Sequence, residues 1–185
     1  MIRVEPAAFV LAAALVLLLP PGWLLAAVTA ACIHEIGHLA VIFLCGGRME
    51  GLTIGPGGAK IRAGPLENRA EFFCAAAGPA ASLLLVCLCH SFPRLALCGL
   101  VQGMFNLLPV HPMDGGRMLR CALERLCPGR AAGICRAAAW LTVGGLAVLG
   151  LWLWGKSGPL PALACLAVFS RLGKIPCKSG GSAVQ

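Results

Sequence analysis

His34, Glu35 and His38 stand together in ACIHEIGHLAVIFLCGG, residues 31–47, a run that is otherwise apolar. On a helix, residues four apart share a face and lie about 6 Å apart along the axis. Two imidazole nitrogens so placed can meet one metal ion, and Zn²⁺ takes such nitrogens in a tetrahedral set. Glu35, beside them, can accept a proton from a nearby water. The apolar setting sharpens this reading. A charged side chain near mid-membrane costs roughly 2.5–3.5 kcal/mol on insertion scales, so a cluster of ionisable groups there needs a chemical reason. A purely structural polar patch is the alternative.

A catalytic zinc needs a third protein ligand and one open position. The candidate is Asp114, in FNLLPVHPMDGGRML, residues 105–119. Pro109 and Pro112 break a helix and let the chain fold back towards the bundle, and Gly115-Gly116 permits a tight turn after the aspartate. Asn106 lies on the same segment and can hydrogen-bond an extended backbone. His111 reads either as a turn residue or as a rival ligand. Alone, the segment also reads as an ordinary helix end followed by turn residues.

The elements that must position these side chains are membrane-embedded. The chain is 59% hydrophobic and 12% charged over 185 residues, with a mean hydropathy of +0.87. A soluble domain is about half apolar and about a quarter charged. Runs of roughly 20 apolar residues cross a bilayer. About six such spans are expected, near 6–20, 22–45, 71–90, 94–110, 136–154 and 159–172. Pro20-Pro21 separates the first from the second. A cleavable signal peptide is the alternative for the first run, but no clean cleavage site follows it.

Six spans place thirteen of the fifteen Lys and Arg residues on one side and leave only Arg94 and Lys156 on the other. Cytoplasmic loops carry that excess, so both termini are expected in the cytosol of a multi-pass cell-membrane protein. The net charge of +8 then records topology, and no nucleic-acid partner is expected. The lipid bilayer is the surrounding partner.

Residues 46–69 hold two β-like runs around Gly-Pro-Gly-Gly and read as a short cytosolic β-hairpin after the second span, with a plain loop as the alternative. Residues 115–126 read as an amphipathic helix on the inner surface. Most of the eleven cysteines lie within the spans, where cysteine behaves as a small hydrophobe, and no C-x-x-C pair is present. The fold class is thus all-α and polytopic. One domain is expected over 1–175, with its catalytic core at about 20–125 and a flexible cytosolic tail at 176–185.

Three stretches together resemble the site-2 protease family of intramembrane zinc metalloproteases: HEIGH at 34–38, AAGPAAS at 76–82 and NLLPVHPMDGG at 106–116. The six-span layout, without a PDZ insertion, looks most like the bacterial stage IV sporulation protein FB subgroup. The resemblance implies one Zn²⁺ per chain held by His34, His38 and Asp114, with Glu35 as catalytic base. It implies that Asn106 and Pro109 guide the substrate. That substrate would be a transmembrane or membrane-associated protein cut near the cytosolic face, in sporulation a sigma-factor precursor. A membrane regulatory protein would be a further partner. Two departures stand out. Relatives commonly carry asparagine where this chain has Ser82, which predicts a weaker polar role there. The C-terminal nucleotide-sensing CBS domain of the subgroup is expected to be missing in cis.

Other classes compete. A metal-ion transporter can use intramembrane His and Glu as an ion path. It needs neither the Glu between two ligands nor the Asp-Gly-Gly after a broken helix. An inactive scaffold would tolerate losses among these residues, and none is seen. A serine protease is suggested by GKSG at 155–158, but no histidine follows it.

Overall fold

The computed structural model describes residues 2–55, 58–64 and 67–157. A short strand β1 (Ile2–Val4) leads into helix α1 (Pro6–Leu18) and then α2 (Pro21–Leu44). Strands β2 (Met49–Gly55) and β3 (Gly58–Ala63) follow, then α3 (Asn68–Leu84), which tightens into a 3-10 turn at Leu85–Leu88. Helices α4 (Pro93–Asn106), α5 (Asp114–Leu126) and α6 (Ala131–Ser157) complete the described chain.

Proline sets several of these boundaries. Pro6, Pro21 and Pro93 each open a helix at its first position, where the missing N–H costs nothing. Helix α4 ends at Asn106, four residues before the expected end of its span, because Pro109 cannot continue it. The amphipathic segment begins one residue earlier than expected, so Asp114 is the first residue of α5. An anionic side chain is favoured at that end of a helix. Helix α6 starts at Ala131, five residues before the expected start of its span.

Among the described residues, three helices are long and apolar enough to cross a bilayer: Pro21–Leu44, Asn68–Leu88 with its 3-10 turn, and Ala131–Trp152. The chain is a membrane protein. Helices α1 and α4 have 13 and 14 residues. The expected sixth span at about 159–172, the last glycine of GKSG and the tail lie outside the described residues. Large apolar side chains such as Leu17, Leu44, Phe73 and Leu141 point outward, as they do when lipid is the solvent.

Helix α3 is central. It packs against α2, α4 and α5, while α2 also packs on α4 and α6 reaches α5. Small residues make the contacts, as in membrane bundles generally. Helix α2 buries one stripe at every fourth residue: Ala26, Ala30, His34, His38 and Ile42. A Cβ on Gly37 would sit 2.9 Å from the Ala81 Cβ, and one on Gly99 would sit 2.6 Å from the Ser82 carbonyl oxygen. The three helices therefore approach closely enough for side chains of α2 to bond α3 directly.

The strands form one sheet in the order β1-β2-β3. Strand β2 pairs antiparallel with β3, with Leu52 opposite Ile61, and a register shift falls between Met49 and Gly51. Strand β1 pairs parallel with β2, a partner that the sequence did not advertise. Three residues at the chain start carry too little periodicity to read as a strand.

Between α4 and α5 the chain crosses the bundle through Leu107–Met113. Val110 and Met113 are buried against Ala139 and Val143 of α6, with Leu108 and Leu146 beside them. Helix α6 thus holds the segment that delivers Asp114.

Candidate metal centre

His34 and His38 lie on the buried stripe of α2, one turn apart, and their rings meet edge to face at 4.8 Å. Asp114, at the start of α5, reaches them from across the bundle. Its Oδ2 lies 3.2 Å from the His34 Nε2 and 3.2 Å from the His38 Nε2. The two Nε2 atoms are themselves 3.2 Å apart. All three side chains are buried.

The outer nitrogen of each ring is held by α3. The His38 Nδ1–H donates to the Cys74 carbonyl oxygen at 2.7 Å. A carbonyl only accepts, so the neutral ring carries its proton on Nδ1 and its lone pair on Nε2. The His34 Nδ1 bonds the Ser82 hydroxyl at 2.9 Å. Ser82 is fully buried, and Gly78 lies between these two anchors on the same helix. A Cβ on Gly78 would collide with the His38 ring and sit 2.9 Å from the His34 Cε1. Only glycine leaves room there for the two imidazoles.

This donor set fits a zinc ion. Around a tetrahedral ion with bonds of about 2.0–2.1 Å, neighbouring ligand atoms sit about 3.3 Å apart. Two imidazole Nε2 atoms and one carboxylate oxygen, within reach of one another in a buried site, are the atom types that a zinc ion takes. Outer-ring hydrogen bonds to backbone and hydroxyl groups are also what metal-bound histidines make. Among the described residues, His34, His38 and Asp114 are the group brought together in this way, and His111 is not part of it. Burial alone would raise the Asp114 carboxyl. The hydrogen bonds and charge of His34 and His38 instead hold it down to about 2, so it is ionised at neutral pH.

Glu35, next to His34 on α2, is half-buried and lies within electrostatic reach of His34, His38 and Asp114. Asn106 is the last residue of α4, and its Nδ2 donates to the Gln102 carbonyl at 3.0 Å. One of its two N–H groups is thus engaged by its own helix, leaving the second N–H and the amide oxygen for other partners. Pro109 is half-buried in the crossing segment. The peptide bond between His111 and Pro112 is cis.

A family model described as peptidase M50B-like matches residues 7–107, more than half of the chain. The chain belongs to the M50 peptidase family. A second model, peptidase family M50, matches residues 87–151, so the two together span His34, His38 and Asp114. The chain is similar to the zinc metalloprotease MJ0392 of Methanocaldococcus jannaschii, 30% identical over 107 residues, covering 50% of this chain and 32% of that protein. It is also similar to the putative zinc metalloprotease Rip3 of Mycobacterium tuberculosis, 33% identical over 111 residues, covering 50% of this chain and 28% of the relative. The matched stretch spans about a third of the length of these relatives. The fold is that of the site-2 protease from Methanocaldococcus jannaschii, with a TM-score of 0.69 at 21% identity over 100% of this chain and 93% of that one.

Sequence reading underrated Ser82. The serine standing where relatives carry asparagine was expected to have a weaker polar role, yet it bonds His34 directly. Glu71 and Arg117 carry no site role in the sequence reading. Arg117 lies 3.5 Å from the Asp114 Oδ1, and Glu71 lies 3.7 Å from Arg117. The one sequence signal for these groups was their spacing: Glu71, Cys74, Gly78 and Ser82 recur every three or four residues on α3.

Proposed function

We propose that this chain is an intramembrane zinc metalloprotease that cuts a transmembrane or membrane-associated protein near the cytosolic face. The observation that carries the reading is the buried triangle of two Nε2 atoms from the apolar α2 and one carboxylate oxygen from the start of α5, each 3.2 Å from the others. Membership of the M50 family and the zinc metalloprotease relatives support it.

In this reading His34, His38 and Asp114 hold one Zn²⁺ per chain. When bound, the ion supplies Lewis acidity, which makes water a nucleophile near neutral pH and polarises a peptide carbonyl. Glu35 is the general base. Its carboxylate accepts the proton from the attacking water and later gives it to the leaving amine. Ser82 and the Cys74 carbonyl keep both Nε2 atoms aimed inward. A helical substrate hides its amides and must unwind first. Asn106 and Pro109 then guide the extended strand, Asn106 through its side-chain amide. Strand β3 lies at an edge of the sheet among the described residues, and such an edge can take an extended peptide by strand addition.

The charge distribution supports a cell-membrane orientation with both termini in the cytosol. A sigma-factor precursor of sporulation is the substrate that the resemblance to the sporulation subgroup implies, with a membrane regulator as second partner. Purified protein should contain one zinc per chain, and His34→Ala should contain none. Cleavage of a single-span precursor should stop with a zinc chelator and return on adding Zn²⁺. Cleavage that survives complete removal of the metal would sink the proposal.

A further inference from the structure

Asp114 differs from the other two ligands in how it arrives. His34 and His38 share one helix, whereas Asp114 comes on α5 after a non-helical crossing. Something must fix the angle of its carboxylate. While Oδ2 faces the two imidazoles, Oδ1 lies 3.5 Å from the Arg117 Nη1, one turn further along α5. The Arg117 Nε lies 3.7 Å from the Glu71 Oε1 on the first turn of α3. The same oxygen accepts a 2.7 Å hydrogen bond from the Arg120 Nη2. Arg120 in turn lies 3.6 Å from Glu124 and has no link to Asp114.

Glu71 therefore sits in an ionic chain that leads through Arg117 to the third ligand. It also falls in line with Cys74 and Ser82, the groups that orient His38 and His34. Residues 71, 74, 78 and 82 lie on one face of a helix. One stripe of α3 then reaches every ligand: Ser82 to His34, Cys74 to His38, and Glu71 through Arg117 to Asp114. The guanidinium fork suits this task, since it can address two carboxylates from fixed directions.

We propose that Glu71 and Arg117 are positioning residues that fix the Asp114 carboxylate for metal binding, with Glu71 acting through Arg117. The proposal rests on the zinc-site reading above. The competing explanation is that these charges merely dock α5 on α3. Exposed ion pairs of that kind contribute little, and Arg117, Glu71 and Arg120 are 30%, 26% and 43% exposed. A docking role would make Arg120, with the shorter contact, matter more than Arg117.

The test measures Zn²⁺ affinity of the full chain in detergent by competition with a chromophoric chelator, alongside thermal unfolding of the metal-free protein. Wild type must bind one zinc and His34→Ala none; if wild type binds none, the zinc-site reading itself fails. Arg117→Gln and Glu71→Gln should each weaken binding about tenfold, the lower end of what outer groups contribute at metal sites. The double variant should bind no more weakly than Arg117→Gln alone. Arg117→Lys should recover most of the affinity, and Arg120→Gln should stay within about twofold of wild type. Unchanged affinity in Arg117→Gln, losses that multiply in the double variant, or an equal loss in Arg120→Gln would each overturn the proposal. If Glu71→Gln does not fold, Arg117→Gln against Arg120→Gln still decides, since both side chains reach the surface.

Discussion

At the scale of single residues, the centre depends on groups that never touch substrate. Ser82 is fully buried and spends its hydroxyl on the His34 Nδ1. Ser82→Ala removes that bond and leaves the ring free to turn or to change tautomer. Zinc affinity should fall about tenfold, read by chelator competition, while the metal-free protein melts close to wild type. Affinity within twofold of wild type would mean that packing alone orients His34. HEIGH and Asp114 were legible in the sequence because ionisable residues in apolar surroundings need a reason. Ser82 was not, because a serine among alanines is unremarkable until its partner, 48 residues away in sequence, is known.

At the scale of elements, α3 decides how closely the bundle packs. Gly78 faces both imidazoles, and Gly37 of α2 faces Ala77 and Ala81. Gly78→Ala would push a methyl group into His38 and should abolish zinc binding. Gly144→Ala, in α6, meets nothing within 4 Å and should be neutral or raise the melting temperature, since alanine is the better helix former. Comparable zinc loss in both variants would show that the effect is not local to the site. The helices themselves were largely readable from hydrophobic runs and prolines, and α2 begins within a residue of its expected start. Boundaries inside the bundle were not. Helix α4 stops at Asn106 and α5 begins at Asp114 because of backbone breaks and tertiary contacts that an apolar run of sequence does not mark.

At the scale of the whole molecule, the candidate ligands come from α2 and α5, are held from α3, and rest on a crossing segment braced by α6. The bracing role of α6 was invisible in the sequence, where that span looked like any other. Met113 is buried in that brace and precedes Asp114 by one residue. Met113→Ala should destabilise the protein by about 2 kcal/mol or more and weaken zinc binding with it. A stability loss with unchanged zinc affinity would mean that α6 anchors the bundle without setting the ligand. The proposed function pairs a hydrolytic centre with a membrane-embedded fold, so that the bond to be cut can lie within the bilayer.

The most direct measurement of that claim is on Glu35→Gln, which keeps the shape of the side chain and removes the base. Purified in detergent and offered a single-span precursor, it should still hold one zinc per chain and should show no cleavage, a loss of at least about a hundredfold. Cleavage at the wild-type rate by the zinc-loaded Glu35→Gln protein would contradict the account.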